Sequence, residues 1–135
     1  MEKVLLVDDE PDILSTIKLY LEDRYEILTA ENGRDALTIF KIEKPSVIVT
    51  DIRMPGMSGI ELMRQVKAME GDAEVIVITG HGDMETAVEA LRLGAVDFLV
   101  KPVDIERLET GIIKGLTKLK KKKDILGYID GLVSE

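Results

Sequence analysis

Acidic, hydroxyl and basic residues follow four short aliphatic segments of this sequence, and their side chains could together hold a metal ion and a phosphoryl group. Asp8 and Asp9 follow the first of these segments, and Asp51 follows the second. Thr79 ends the third segment, and Lys101 follows the fourth. Carboxylates bind hard divalent cations, whereas a hydroxyl and an ammonium group can contact phosphate oxygens. The sequence therefore predicts a site for a divalent cation and a phosphoryl group.

These residues can meet only if the segments are parallel strands of one sheet. Strands are predicted at roughly 4–7, 26–30, 47–50, 74–79 and 97–100, with amphipathic helices between them. The first, third and fourth are almost wholly aliphatic, as central strands are, and the other two are more mixed. This pattern predicts an α/β fold, a doubly wound parallel sheet in the order 2-1-3-4-5 with helices on both faces. Ligands bind at the carboxyl ends of the strands in such sheets.

The predicted helices have recognisable start signals. Ser58 and Glu61 form a capping box for the third helix. Asp83 and Asp104 are placed to cap the fourth and fifth helices, and Gly33 precedes the second. Each of these helices is thus expected to begin shortly after a loop that follows a strand.

The composition predicts a single cytoplasmic domain. The chain of 135 residues is long enough for one buried core, and its lack of cysteine excludes disulfides, thiolate ligands and a cysteine nucleophile. The amino terminus has no secretory pattern and no apolar run reaches membrane-spanning length, so we expect no membrane contact. The formal net charge of −8 repels nucleic-acid phosphates, so direct nucleic-acid binding is not expected.

The carboxyl-terminal segment allows two interpretations. We expect residues 1–120 to form the domain, and residues 121–135 to form a helical extension or linker toward an output domain outside this sequence. Apolar residues continue at heptad spacing at positions 105, 108, 112, 119, 126, 129 and 133. A long helix that acts as a dimer seam or linker fits this spacing, although Gly115 and Lys122 interrupt it. A frayed end with solvated lysines fits equally well.

The acidic residues need a cation if they share one site. Three carboxylates at contact distance repel one another, so Asp8, Asp9 and Asp51 are predicted to bind Mg²⁺ (or Mn²⁺). A carboxylate can also accept a phosphoryl group and form an aspartyl phosphate. The metal and Lys101 would neutralise the transferred oxygens, and Thr79 could donate to one of them. Taken alone, Thr79 would more simply be a residue that caps a strand end.

Two further residues lie in loops next to this site. His81 is the only histidine and could be a nucleophile, a metal ligand or a loop residue. No second histidine supports a metal pair, so we expect a loop residue that lies over the site. Lys101 precedes Pro102, which predicts a turn that aims the ammonium group at the carboxylates and allows a cis peptide bond.

With these motifs in place, the sequence resembles the receiver domains of two-component response regulators. The matching motifs are Val7-Asp8-Asp9, Asp51 with Met54-Pro55-Gly56, Thr79, and Lys101-Pro102. They occur in order between about residues 2 and 118. The resemblance implies a flavodoxin-like fold and a signalling domain that is not a conventional enzyme, although it catalyses its own phosphoryl transfer and slow self-dephosphorylation. The segments around His81 and Phe98 are most similar to receivers of nitrogen-regulation and nitrogen-fixation transcription regulators.

The resemblance also implies roles for the acidic site. Asp51 would be the residue that a histidine kinase phosphorylates. Asp9 would bind Mg²⁺ directly and Asp8 largely through water. The backbone carbonyl of Arg53 would complete the metal site.

The remaining roles concern the switch and the lifetime of the signal. Thr79 and Lys101 would contact the phosphoryl group, and Phe98 would be the switch aromatic that responds to Thr79. Many relatives have tyrosine at that position, and phenylalanine removes the hydroxyl. Arg53 and His81 each lie two residues past a site residue. We expect both to flank the path of the hydrolytic water and to tune dephosphorylation.

The resemblance implies two partners, a sensor histidine kinase and the chain's own output domain of DNA-binding or ATPase type. A second copy of the chain is a further candidate, because Leu91 and Leu93 near the end of the fourth helix and the heptad of the fifth are apolar. The homodimer would form through the fourth helix, fifth strand and fifth helix, or through an extended fifth helix.

Two other classes of protein share part of this pattern. A Mg²⁺-dependent aspartyl-phosphate phosphatase would use the same aspartate, metal and lysine, but it usually has a second aspartate where this sequence has Arg53. A flavin-binding module would need a hydroxyl- and glycine-rich loop after the first strand. This sequence has Asp8-Asp9-Glu10 there, and no tryptophan.

Overall fold

Strands and helices alternate along the chain in a computed structural model that describes residues 1–69 and 72–133. The strands are β1 (Lys3–Val7), β2 (Glu26–Ala30), β3 (Val47–Asp51), β4 (Glu74–Thr79) and β5 (Asp97–Val100). The helices are α1 (Pro11–Leu21), α2 (Gly33–Glu43), α3 (Gly59–Ala68), α4 (Met84–Arg92) and α5 (Ile105–Val133).

The strands form one parallel sheet in the order β2-β1-β3-β4-β5, which confirms the predicted topology. The aliphatic strands β1, β3 and β4 are central, and the mixed strands β2 and β5 are the edges. The register pairs Asp51 with Ile78 and Thr79 with Val100, so the carboxyl ends of β3, β4 and β5 lie side by side.

The core lies on both faces of the sheet because successive side chains of a strand point to opposite sides. Leu5 and Val7 pack in the cluster beneath α2, α3 and α4. Val4 and Leu6 pack in the cluster beneath α1 and α5. Burial of each such side chain stabilises the fold by about 1.5–3 kcal/mol. The strand ends therefore project from a rigid base.

Two of the four predicted helix starts are confirmed. Ser58 accepts a hydrogen bond from the Glu61 N–H at 3.2 Å, and Asp104 accepts one from the Glu106 N–H at 2.9 Å. Two predictions were wrong in detail. Gly33 is the first residue of α2, and Asn32 caps that helix by accepting from the Asp35 N–H. Asp83 stands at the N-cap of α4, but its backbone has φ −105° and ψ 21°, whereas Asn32 and Ser58 are extended as N-cap residues usually are. Its side chain pairs with Arg53 rather than with a backbone N–H of the helix.

Helix α5 is continuous to Val133, so residues 121–133 are helical. Every residue from Lys120 to Val133 is exposed, and the predicted seam residues Leu126 and Ile129 are 54% and 46% exposed. Gly115, which interrupts the heptad, faces the sheet: a Cβ there would lie 3.3 Å from the Glu74 Cβ. The glycine therefore allows α5 to pack closely.

No helix among the described residues is both long and apolar enough to cross a membrane.

Candidate functional site

The predicted site residues come from the carboxyl ends of four strands. Asp8 directly follows β1, Asp51 is the last residue of β3, and Thr79 is the last residue of β4. Lys101 directly follows β5, and its peptide bond with Pro102 is cis. Backbone hydrogen bonds link these ends: the Lys101 N–H donates to the Thr79 carbonyl at 2.8 Å, and the Ile52 N–H donates to the Ile78 carbonyl at 2.9 Å.

The centre of the site is an ion pair between Lys101 and Asp51. The Lys101 Nζ lies 2.8 Å from the Asp51 Oδ2, and the Asp51 side chain is only 7% exposed. Asp51 Oδ1 accepts a hydrogen bond from the Arg53 N–H at 3.3 Å. Burial lowers the pKa of Lys101, but the bond to Asp51 and the charges of Asp8 and Glu10 outweigh it, so the pKa is raised. Lys101 is therefore cationic and aimed at Asp51.

Asp8 is the buried member of the acidic cluster. Its Oδ1 accepts from the Glu10 N–H at 2.8 Å, whereas its Oδ2 is buried without a hydrogen-bond partner in the described structure. Lys101 Nζ lies 3.8 Å from that oxygen. Burial raises the pKa of Asp8 above its ordinary value, although the Glu10 N–H and Lys101 partly offset the effect. The ionised carboxylate of Asp8 is thus only partly compensated.

The residues present fit a hard cation. One ligand oxygen from each of Asp8, Asp9 and Glu10 can lie within 4.8 Å of the other two. Asp9 and Glu10 are exposed, so water can complete the coordination. The unpartnered Oδ2 of Asp8 is the oxygen whose burial a divalent cation would compensate. The sequence interpretation did not assign a role to Glu10, although it directly follows the two predicted ligands.

The loop after Asp51 is held tightly by its glycines. Gly56 has a φ of +77°, a conformation that favours glycine. A Cβ on Gly59 would lie 2.2 Å from the Asp51 carbonyl oxygen, so only glycine lets α3 begin at this distance from β3. The Gly59 N–H also donates to the Ile52 carbonyl at 2.8 Å. The backbone around Asp51 is therefore fixed on both sides.

The two predicted switch residues lie on neighbouring strands. Thr79 is 1% exposed, and its hydroxyl donates to the Gly80 carbonyl at 3.1 Å. Phe98 is partly buried and packs against the cluster beneath α2, α3 and α4. The structure thus gives the Thr79 hydroxyl a backbone partner rather than a partner among the acidic residues.

The two residues predicted to tune dephosphorylation make different contacts. Arg53 Nε donates to the Asp83 Oδ1 at 2.9 Å, so its side chain lies toward α4. His81 is exposed in the turn after β4, as predicted for a loop residue. With Lys101 and Tyr20, His81 lines a groove of about 780 Å³ between α1 and the β5–α5 turn.

A second charged cluster lies at the amino-terminal end of β4, away from the candidate site. Glu74, the first residue of β4, is 0% exposed, and Lys122 Nζ lies 2.9 Å from its Oε1. Lys67 Nζ and Lys118 Nζ each lie 3.7 Å from its Oε2. Burial lowers the pKa of Lys67, and Glu74 partly restores it. The sequence left open whether the lysines of this segment are solvated or belong to a longer helix. Neither interpretation predicted this cluster, because the buried partner lies far away in the sequence.

Comparison with known proteins agrees with this architecture. A family model described as the response regulator receiver domain matches residues 4–113. Nitrogen assimilation regulatory protein NtrX of Azorhizobium caulinodans is 36% identical over 125 residues, which are 90% of this chain and 28% of that protein. This match confirms the expected similarity to receivers of nitrogen regulators. The chain spans about a quarter of the length of this and similar curated relatives.

Two further matches extend along most of both chains. Sporulation initiation phosphotransferase F of Bacillus subtilis is 33% identical over 116 residues, which are 85% of this chain and 94% of that protein. The crystal structure of a response regulator receiver domain protein from Clostridium thermocellum has a TM-score of 0.85 and 37% identity. The match covers 89% of this chain and 98% of the Clostridium thermocellum chain.

Proposed function

This chain belongs to the family of response regulator receiver domains, and from that premise we propose that Asp51 is its phosphoryl acceptor. The observation that carries the proposal is the 2.8 Å contact between Lys101 and a carboxylate that is almost wholly buried. Such a domain receives a signal when it is phosphorylated and transmits it through a change in the conformation of its surface. Family membership also sets aside the phosphatase and flavin-binding alternatives.

Asp8, Asp9, Asp51 and the backbone carbonyl of Arg53 would hold Mg²⁺, or Mn²⁺, with Glu10 at the rim of the site. The Oδ2 of Asp8 supports this assignment, because it is buried, has no hydrogen-bond partner among the described residues and is only partly compensated by Lys101, an arrangement that favours a bound cation. When bound, the cation neutralises charge on the phosphoryl oxygens. The fixed backbone between Asp51 and Gly59 would keep the Arg53 carbonyl in place.

In the proposed self-catalysed step, a carboxylate oxygen of Asp51 attacks phosphorus, and the bond from phosphorus to the donor atom breaks. The donor leaves with the electron pair of that bond. Lys101 would stay beside Asp51 and contact the transferred oxygens, and Thr79 would exchange its bond to Gly80 for one to a phosphoryl oxygen. Water would later cleave the new bond, and Arg53 and His81 would flank its path.

The test is labelling by a small donor. The chain is incubated with acetyl phosphate, with Mg²⁺ or with excess EDTA, and its intact mass is measured. We expect a gain of one phosphoryl group only with Mg²⁺, and none for Asp51→Asn. Asp35→Asn, a change at an exposed aspartate on α2, is the matched control and should label as the parent does. Equal labelling of Asp51→Asn and the parent would show that Asp51 is the wrong residue.

The groove beside Lys101 is the surface that we propose for a histidine-bearing phosphodonor. It lies next to the acceptor, and Ile13, Tyr20 and Val103 give it an apolar lining. With a phosphorylated histidine kinase that labels the parent, Tyr20→Ala should slow labelling, whereas acetyl phosphate should label both proteins equally. Tyr128→Ala, at an exposed tyrosine near the end of α5, is the control. Equal slowing with both donors would contradict a docking role.

The architecture of the relatives supports a proposal for the output partners. We propose that this receiver controls an output domain of DNA-binding or ATPase type, because the chain matches only about a quarter of each multi-domain regulator. Residues 1–120 would be the receiver, and residues 121–135 a linker toward that domain. A homodimer through the α4–β5–α5 face or the extension of α5 would transmit the signal. The exposed apolar residues Leu126 and Ile129 support the second route.

A further inference from the structure

Asp83 stands where it could cap α4, but its carboxylate is bound elsewhere. Its Oδ1 accepts hydrogen bonds from both Nε and Nη2 of Arg53, with Nε at 2.9 Å. The Asp83 side chain is 9% exposed, whereas the Arg53 side chain is 79% exposed. An exposed residue of the acceptor loop therefore holds a buried carboxylate at the start of another helix.

Three of the other four helices show what α4 gives up, whereas α1, like α4, has no side-chain cap among the described residues. Asn32, Ser58 and Asp104 each accept a hydrogen bond from a backbone N–H in the first turn of α2, α3 and α5. Asp104 is the same residue type as Asp83 and is bound to the N–H two residues later at 2.9 Å. An aspartate at this position ordinarily stabilises a helix in this way. In α4 the side chain is bound to Arg53 instead, and the backbone of Asp83 (φ −105°, ψ 21°) is not extended as it is at Asn32 and Ser58, so capping would also require this backbone to turn.

The pair connects the acceptor loop to the helix of the expected output face. Arg53 lies two residues past Asp51, and its N–H donates to the Asp51 Oδ1. A cleft of about 500 Å³ between the loop and α4 is lined by Arg53, Asp83 and Thr86. Helix α4 presents Met84 and Leu91 to solvent, at 50% and 39% exposure.

We propose that Asp83 is a positioning residue with two alternative partners. In one state it binds Arg53 and leaves the first turn of α4 uncapped. In the other its backbone becomes extended, as at Asn32 and Ser58, so that the side chain caps α4 and releases Arg53. The link to signalling rests on the proposed function: a phosphoryl group on Asp51 brings more negative charge than a carboxylate and competes with Asp83 for the guanidinium. Phosphorylation would thus favour the capped form of α4, because the contacts of Arg53 differ between the two states.

The first test needs no phosphorylation. Amide hydrogen exchange of Glu85 and Thr86, the second and third residues of α4, is measured in the free protein. Arg53→Gln frees Asp83 to cap the helix and should slow exchange on the order of fivefold. Asp83→Ser should slow it likewise, because serine caps helices but is too short for this ion pair. Asp83→Ala should leave it near the parent rate, because the parent has no cap to lose.

The double variant Arg53→Gln/Asp83→Ala should lose the protection gained by Arg53→Gln. Arg64→Gln, which breaks the exposed contact of Arg64 with Glu89 of α4 at 3.2 Å, is the matched control and should leave both amides unchanged. Far-UV circular dichroism checks that every variant is folded. Faster hydrogen exchange in Asp83→Ala than in the parent would show that Asp83 already caps α4. Unchanged hydrogen exchange in Arg53→Gln would show that Asp83 does not change partners. Either result overturns the proposal.

The second test asks whether a phosphoryl mimic at Asp51 causes Asp83 to change partners. Beryllofluoride with Mg²⁺ should slow exchange of the Glu85 and Thr86 amides in the parent and add little in Arg53→Gln. Binding of the mimic is followed separately by ¹⁹F NMR. An equal response in Arg53→Gln and the parent would overturn coupling through Arg53. No bound fluoride signal would instead refute the proposed phosphoryl site, and the first test would still decide whether Asp83 changes partners.

Discussion

At the scale of single residues, the two buried carboxylates of the site are compensated differently: Asp51 is bound to Lys101, whereas one oxygen of Asp8 has no hydrogen-bond partner among the described residues. Asp8, Asp51 and Lys101 were predictable, because their types and their positions at strand ends are local properties. The partners of Arg53 and Glu74 were not, because each ion pair joins residues far apart in the chain. Asp8 is buried and Asp9 is exposed, and this difference was not predictable because burial depends on the packed structure.

Replacement of Asp8 by asparagine should stabilise the metal-free protein by about 1 kcal/mol. Asp8 is buried and its pKa is raised, so its ionised form opposes folding near neutral pH, whereas asparagine keeps the oxygen that accepts from the Glu10 N–H. Urea unfolding in EDTA measures the change. Asp9→Asn should give a smaller change in EDTA, because Asp9 is exposed, but a larger loss of stabilisation by Mg²⁺. A less stable Asp8→Asn in EDTA would contradict an uncompensated carboxylate.

The ion pair of Asp97 and Arg107 should make stability depend on pH. Burial raises the pKa of Asp97, but hydrogen bonds from Arg107 and the Phe98 N–H outweigh it, so the pKa lies below its ordinary value. Ionised Asp97 therefore stabilises the folded protein above pH ~4, and this contribution is lost as the pH falls through the folded-state pKa. Arg107→Gln should cost about 1–2 kcal/mol at pH 7, since the arginine is half exposed, and less below pH ~4.

Urea unfolding at several pH values measures the cost of Arg107→Gln. Arg64→Gln breaks a pair in which both side chains are more than half exposed, so it should cost less than about 0.5 kcal/mol. A cost for Arg107→Gln that stays constant from pH 7 to about pH 3 would contradict the assigned role of Asp97.

At the scale of secondary structure elements, the order and type of elements were predictable, and close approaches between them were not. Alternating aliphatic strands and amphipathic helices already predicted the sheet order. No local pattern showed that Gly59 touches the backbone of β3 or that Gly115 lies against Glu74. The extent of α5 was left open, because its glycines and its heptad spacing favour opposite conclusions.

Two glycine-to-alanine changes should therefore have opposite effects. Gly59→Ala places a Cβ 2.2 Å from the Asp51 carbonyl oxygen and should lower the free energy of unfolding by about 2–3 kcal/mol. Gly127→Ala meets no atom within 4 Å and should make the end of α5 more helical by about 1 kcal/mol. Urea unfolding tests the first, and circular dichroism with amide exchange tests the second. Equal stability of Gly59→Ala and the parent would show that α3 does not need this close approach.

At the scale of the whole molecule, the fold was predictable because one hydrophobic pattern accounts for both faces of the sheet. Self-association was not, because apolar residues at heptad spacing can cover a domain or face a partner. In the structure the first part of the stripe, including Leu108, Ile112 and Leu119, is buried against the sheet. The later part, with Leu126 and Ile129, is exposed.

Replacement of Leu126 and Ile129 by serine should weaken self-association by roughly tenfold or more, because the exposed part of the stripe would lose its apolar contact. Sedimentation velocity over a range of concentrations, with and without beryllofluoride, measures it. Ile113→Ser, at a residue that is 53% exposed but lies off the heptad, is the control. If the double variant associates as strongly as the parent, the dimer does not use the extension of α5.

The anchoring of α5 by Glu74 has a geometric consequence for whatever is fused beyond it. Lys118 and Lys122 fix the rotation of the helix about its axis relative to the sheet, and the residues after them continue without a break to Val133. Each residue inserted between Lys123 and Val133 would turn a following module by about 100° and advance it by about 1.5 Å. Insertions of seven residues would nearly restore the original phase, whereas insertions of two would place the module on the far side of the helix axis. Signal transmission should accordingly vary with insertion length in a periodic way.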